Sequence, residues 1–170
     1  RNDYMYVADG TANRIYRVTE QDVSAFVGTG SLSLTVNDWE SNLFEELSEV
    51  SLCQPTSISG ARGQDDFYVA EPSAGRIRVV SPLVGSRSLT STDPYPDVAC
   101  APADYVGSAS AAYFCGVNKL TVIGSSIYFT DDSFALRRYD IVTDQVSSLV
   151  VYSSGPILSL SVLSQDVFYY

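Results

Sequence analysis

Carboxylates are the side chains of this sequence best placed to do chemistry. Asp9, Glu71 and Asp131 each close a Tyr-led segment: Tyr6-Val7-Ala8-Asp9, Tyr68-Val69-Ala70-Glu71 and Tyr128-Phe129-Thr130-Asp131. Two readings of them stand. In the first, each carboxylate accepts backbone N–H groups in its turn and pairs with the basic residue five positions on. Asp9 then meets Arg14 and Glu71 meets Arg76, while the third copy has Leu136 in that place with Arg137 and Arg138 beside it. In the second, Asp9, Glu71 and Asp131 line a central channel and bind a cation or an amine, with Asn118 a further oxygen ligand if the cation is calcium. Other chemistries lack their residues. Histidine is absent, so no Ser/His/Asp or Cys/His arrangement exists. No C-x-x-C spacing occurs, which with the missing histidine argues against zinc. No glycine-rich loop follows a strand and opens a helix, as a phosphate cradle would.

The three cysteines are Cys53, Cys100 and Cys115. Cys100 and Cys115 bracket a loop rich in Ala, Ser and Gly. A disulfide there staples a segment with little core of its own, contributing ~3 kcal/mol in the chain-entropy picture. Cys53 is then odd, either a buried thiol or one paired elsewhere. A disulfide implies an oxidising compartment, so the expected location is extracellular or at the cell surface.

The elements that must position these groups repeat. Each Tyr segment is followed by a second strand: Arg14-Ile15-Tyr16-Arg17-Val18, Arg76-Ile77-Arg78-Val79-Val80 and Leu136-Arg137-Arg138-Tyr139. A fourth copy opens at Val167-Phe168-Tyr169-Tyr170. Third strands follow at Val23–Val27, weakly at Ser88–Thr90, and at Val146–Tyr152. A short strand precedes the later Tyr segments, at Thr56–Ser59, Leu120–Ile123 and Ile157–Val162. Turns rich in Gly, Asp, Asn and Ser join them, as tight hairpins require. The copies recur at intervals of about 60, 60 and 40 residues. The last interval is the size of one four-stranded propeller blade, and the first two are the same blade with an insertion. The strands are apolar on both faces, as in sheets covered on both sides.

The expected layout is one partial β-propeller. Residues 1–30 give blade strands, 31–52 an acidic insertion, 53–91 a blade, 92–116 a cysteine-bearing loop, 117–155 a blade, and 156–170 the start of the next. In the first insertion Asp38 can cap a short helix with Trp39, Leu43, Phe44 and Leu47 on one side. Trp39, Phe44, Glu45 and Glu46 are its candidate contact residues. Both insertions fall between blades on one side of the ring, where binding loops are commonly found.

The net charge is −10 and lysine occurs once. That argues against nucleic acid and against anionic membrane surfaces, both of which need clustered cations. No apolar run is long enough to span a membrane. The chain opens on strand residues and closes on them, and is expected to be a piece of a longer protein.

The repeat Tyr-Val-Ala-Asp followed by Asn13-Arg14-Ile15-Tyr16-Arg17-Val18, with Pro55-Thr56-Ser57-Ile58 ahead of the second copy, resembles the NHL repeat. That resemblance covers about three copies and implies a β-propeller, usually six-bladed. Members are mostly platforms for protein, RNA or glycan partners. A minority are enzymes, among them an amidating lyase that uses metal-binding histidines this chain does not have. RNA-binding members use a basic face, and this chain is acidic. The expected function is therefore a non-enzymatic interaction or structural module of a larger extracellular propeller, without cofactor. Its partner is a protein, or further blades from the same or another chain. The alternative is a calcium-dependent hydrolase like the lactonase or strictosidine-synthase-like propellers, with the acids and Asn118 in the channel.

Overall fold

The computed structural model describes residues 4–32, 46–60, 65–90, 99–151, 160–164 and 167–169. The helix expected after Asp38, with Trp39, Phe44 and Glu45, lies outside them. Among the described residues, fourteen strands build four antiparallel sheets in chain order. The first holds β1 (Met5–Asp9), β2 (Arg14–Val18) and β3 (Val23–Val27). The second is a four-stranded meander of β4 (Ser57–Gly60), β5 (Phe67–Glu71), β6 (Arg76–Ser81) and β7 (Gly85–Ser88). The segment β8 (Val106–Ser108) comes next. The third meander is β9 (Lys119–Ile123), β10 (Ser126–Thr130), β11 (Ala135–Asp140) and β12 (Gln145–Val151), and β8 joins it beyond β12. A hairpin of β13 (Ser161–Ser164) and β14 (Val167–Tyr169) starts the fourth.

The Tyr segments are β1, β5 and β10, and each is the second strand of its blade. The first two registers match, with Val7 facing Tyr16 and Val69 facing Arg78, while in the third Phe129 faces Arg137 across a hairpin one residue shorter. The first strands of consecutive blades lie side by side and run the same way. The Leu120 and Val122 amides on β9 donate to Ser57 Oγ and Ser59 Oγ on β4, at 3.2 Å each. Successive meanders with parallel first strands at a common axis are the architecture of a β-propeller, here a partial one.

Blade faces explain the residue choices. Along β5, Phe67 and Val69 point into one core with Ile15, Val27, Val50, Leu52 and Val80. Tyr68 and Ala70 point the other way, into a core with Ile77, Val79, Phe114, Ile127 and Phe129. The middle blade is thus covered on both sides, and all of β5 is buried. Tyr6 reaches across from blade 1, its ring 4.6 Å from that of Phe67 and 4.9 Å from that of Phe26. The other face of blade 1 departs from expectation. Met5 is 61% exposed, Val7 41% and Val23 63%. Those residues alternate with Tyr6 and Ala8 and look away from blade 2.

Two strand assignments also shift. The third strand of the second copy runs over Gly85–Ser88, not Ser88–Thr90. Its small and polar residues hide it from a search for apolar runs, and Gly85 opens it at φ 123°. The cysteine-bearing segment contributes β8 as a fifth strand and buries Ala101, Ala109, Ala112, Phe114 and Val117 between blades 2 and 3.

Truncating the two-sided core should cost far more than truncating the open face. Ile77→Ala is expected to lose about 3 kcal/mol in urea unfolding, and Met5→Ala less than about 0.5 kcal/mol. Similar losses from both would contradict the stacking described.

Candidate functional site

Chain direction places the repeated acids at one end of the blades. In a four-stranded meander the way in, the turn between strands two and three, and the way out share an end. The acid-bearing turns and the described parts of both insertions next to the blades therefore lie together. What each acid does there differs.

Asp9 Oδ1 accepts from the Thr11 and Ala12 amides at 2.9 Å and shapes its turn. The expected Asp9–Arg14 pair is not formed. Arg14 instead donates to the carbonyls of Gly28 and Thr29, at 3.3 and 2.9 Å. The chain must pass close for that. Gly28 has φ +107°, and a Cβ there would stand 2.5 Å from the Asn13 carbonyl oxygen.

Glu71 is fully buried and held between two arginines. Arg76 Nη2 donates to Oε2 at 2.8 Å and Arg78 Nε to Oε1 at 2.9 Å. The Cys53 amide donates to Oε2 at 2.7 Å. Arg76 also donates to the Ser51 carbonyl, and Arg78 to Ser86 Oγ. The clamp thus ties β5 and β6 to the strap that leads from the first insertion, whose Val50, Leu52 and Cys53 are buried. Burial alone would raise the Glu71 pKa. The charges of Arg76 and Arg78, with the hydrogen bonds from Arg76 and the Cys53 amide, outweigh it and hold the carboxyl below its usual range.

In blade 3 the partner of Asp131 is Arg137, six positions on, at 2.8 Å. The turn reaches its left-handed residue early, at Phe134 with φ 59°, where the earlier copies reach theirs at Asn13 and Gly75. The hairpin is one residue shorter, and Arg137 faces Phe129 as Arg78 faces Val69, which makes it the counterpart of Arg78. Arg137 goes on to the carbonyls of Ala101 and Pro102, at 3.2 and 2.9 Å, and to Ser148 Oγ. Its guanidinium lies over the Phe114 ring, 5.1 Å from the centroid. The segment it holds is closed by the Cys100–Cys115 disulfide, with Cα atoms 5.4 Å apart. Cys53 is a buried thiol outside that bridge.

These placements do not make a shared ligand set. Glu71 and Asp131 turn to arginines of their own blades, and Asn118 Nδ2 donates to Asp132 Oδ1 at 2.9 Å. Among the described residues no group of three or more His, Cys, Asp or Glu is placed to hold a metal ion. Sequence reasoning missed Arg78, whose signal was its spacing of two from Arg76, which puts both on one face of a strand. It also missed Asp144, which accepts from Ser108, Ser110 and Tyr139 hydroxyls and pins β8 to β12. Glu46, a predicted contact residue, is exposed. No described helix is long and apolar enough to cross a membrane.

No protein-family model and no curated protein matches the chain. Solved structures do. A protein of unknown function from Bacteroides thetaiotaomicron superposes with a TM-score of 0.60 at 14% identity, over 86% of this chain and 32% of that one. A chain of a nidogen–laminin complex gives 0.49 at 9% identity, over 88% and 41%. Virginiamycin B lyase from Staphylococcus aureus gives 0.42 at 11%, over 94% and 54%. The chain spans about a third of the first structure's length, and at such identity the likeness is one of fold.

Glu71 sets an acid limit on stability. A carboxyl whose pKa is lower folded than unfolded stabilises the fold above its unfolded pKa, and that contribution fades as pH falls through the folded value. Thermal melts should weaken as pH drops below the ordinary 4.5. Glu71→Gln should cost about 3 kcal/mol at neutral pH, because two buried arginines lose their counter-charge. It should also flatten the acid slope. An unchanged slope would contradict the clamp.

Proposed function

We propose that the chain is a non-enzymatic section of a larger extracellular β-propeller of NHL-like repeats, completed by further blades and serving protein binding. The observation that carries this reading is the open face of blade 1. Met5, Val7 and Val23 present there the same aliphatic chemistry that closes the blade 1–blade 2 and blade 2–blade 3 seams. A contiguous apolar sheet face is costly to leave in water, and a neighbouring blade is the surface whose shape and chemistry match it. The disulfide supports an oxidising compartment. The described parts of the two insertions, held by Arg76 and Arg137, supply a surface for a partner at one end of the blades. The excess of acids favours a basic one. The engagement of Glu71 and Asp131 in ion pairs supports a structural role for the repeated acids over a catalytic one.

Light scattering on the 170-residue chain tests the face. Concentration-dependent association is expected, and Val23→Lys should suppress it while leaving the melting temperature within a few degrees. A chain that stays monomeric at every concentration would contradict the reading. In the same melts millimolar calcium should leave stability unchanged, since a ligand that binds the native state raises it. A calcium-dependent rise would favour the hydrolase.

A further inference from the structure

Among the described residues, four other than glycine hold a left-handed backbone: Asn13, Gln54, Phe134 and Asp144. Phe134 is the bulkiest of them. Asparagine and aspartate enter that region readily through their short polar side chains, while a large aromatic residue there is an outlier. The position is the one that ends the acid turn in each of the three copies. Asn13 and Gly75 hold it ahead of Arg14 and Arg76, and Phe134 holds it ahead of Ala135. Two copies carry a residue suited to the backbone, and the third carries a ring that is not. Burial does not offset the misfit, since Phe134 is 38% exposed and belongs to neither core. Backbone strain held at such a place points to a task for the side chain.

The residue two positions back supplies the other half of a site. Asp132 is exposed. Its Oδ1 accepts from Asn118 Nδ2 at 2.9 Å, and its amide donates to the Cys115 carbonyl at 2.9 Å. Its Oδ2 lies against Gly116, where a Cβ would collide with it. The carboxylate is thus fixed in place. Among the described residues no cation pairs with it, whereas Asp131 beside it is taken by Arg137. We infer that the Asp132–Phe134 turn receives an arginine side chain of a protein partner. The inference rests on the protein-binding reading and names the group recognised. A guanidinium is planar and weakly hydrated, so its face stacks on a ring while its edge donates to a carboxylate. An exposed ring and a carboxylate without a cation, both on one turn, offer that pair of contacts. A lysine ammonium, compact and strongly hydrated, uses the ring less well. The turn stands at the end of the blades where the described parts of the insertions lie. The net charge of −10 draws a basic partner towards it.

N-acetylarginine amide is the probe, and its citrulline counterpart, neutral and of the same shape, is the control. Titrated into the 170-residue chain, the arginine amide should give saturating NMR shifts at the Phe134 ring and the Asp132 amide. The citrulline amide should give none. Phe134→Asn installs the residue that the first copy carries. It should abolish the Asp132 shifts and leave the melting temperature within about 5 °C, because relief of the backbone offsets the lost ring contacts. Asp132→Asn keeps an acceptor for Asn118 and removes the charge, and it should weaken binding about threefold, the scale of one exposed ion pair. Absent shifts, equal shifts with citrulline, or an unchanged response in either variant would overturn the inference. So would a melting temperature lowered by more than about 5 °C in Phe134→Asn, which would make the ring a core residue. Blade stacking is read separately. Val23→Lys acts on a sheet face of blade 1, so failure at the turn leaves the light-scattering result standing.

Discussion

The Arg76–Glu71–Arg78 clamp is the constraint around which the described structure is organised. Three fully buried charged groups meet between blades 1 and 2, and they are tolerable there only because each carboxylate oxygen has a guanidinium partner. The backbone closes the arrangement through the Cys53 amide and the Ser51 carbonyl. A strap of the first insertion is thereby fixed against the blade it introduces. Aliphatic packing of Val50 and Leu52 then supplies the stability that the ion pairs themselves do not.

The same device is varied around the axis. In blade 3 one arginine does the work of two, reaching Asp131 and the carbonyls of Ala101 and Pro102 together. In blade 1 the acid and the arginine part company, one capping its own turn and the other holding the exit chain at Gly28 and Thr29. The common element is an arginine of the third blade strand that binds carbonyls of an inter-blade connection. The repeated carboxylate is best understood as a guide for that arginine or for its turn. A channel lined with acids is a poor description of Glu71, which water does not reach.

Much of this was legible in the sequence, for physical reasons. A run such as Phe67-Tyr68-Val69-Ala70, apolar on both faces, announces a sheet covered twice, and β5 is that strand. The interval between copies announces blades, and the Cys100–Cys115 spacing fits a staple over a poorly cored segment. Other features left no local mark. The partner of Asp131 is the register counterpart of Arg78, facing Phe129 as Arg78 faces Val69, while Ala135 holds the place of Arg14 and Arg76. The strand β7 has a glycine, two serines and an arginine, and its existence depends on β6 beside it. The addition of β8 to blade 3 is a tertiary event, fixed by Asp144 reaching back to Ser108 and Ser110. The exposed face of β1 could not be read from its residues, since Met5 and Val7 look as buried on paper as Tyr68 and Val69.

The most direct test of the account is native-state hydrogen exchange at the Cys53 amide. If the clamp organises the blade 1–blade 2 seam, that amide opens only with the whole molecule. It should then exchange with the same free energy as the slowest amides of β5 and β6. Exchange at the rate of an exposed loop amide, while β5 and β6 stay protected, would show that the strap is not held by Glu71 and would contradict the central claim.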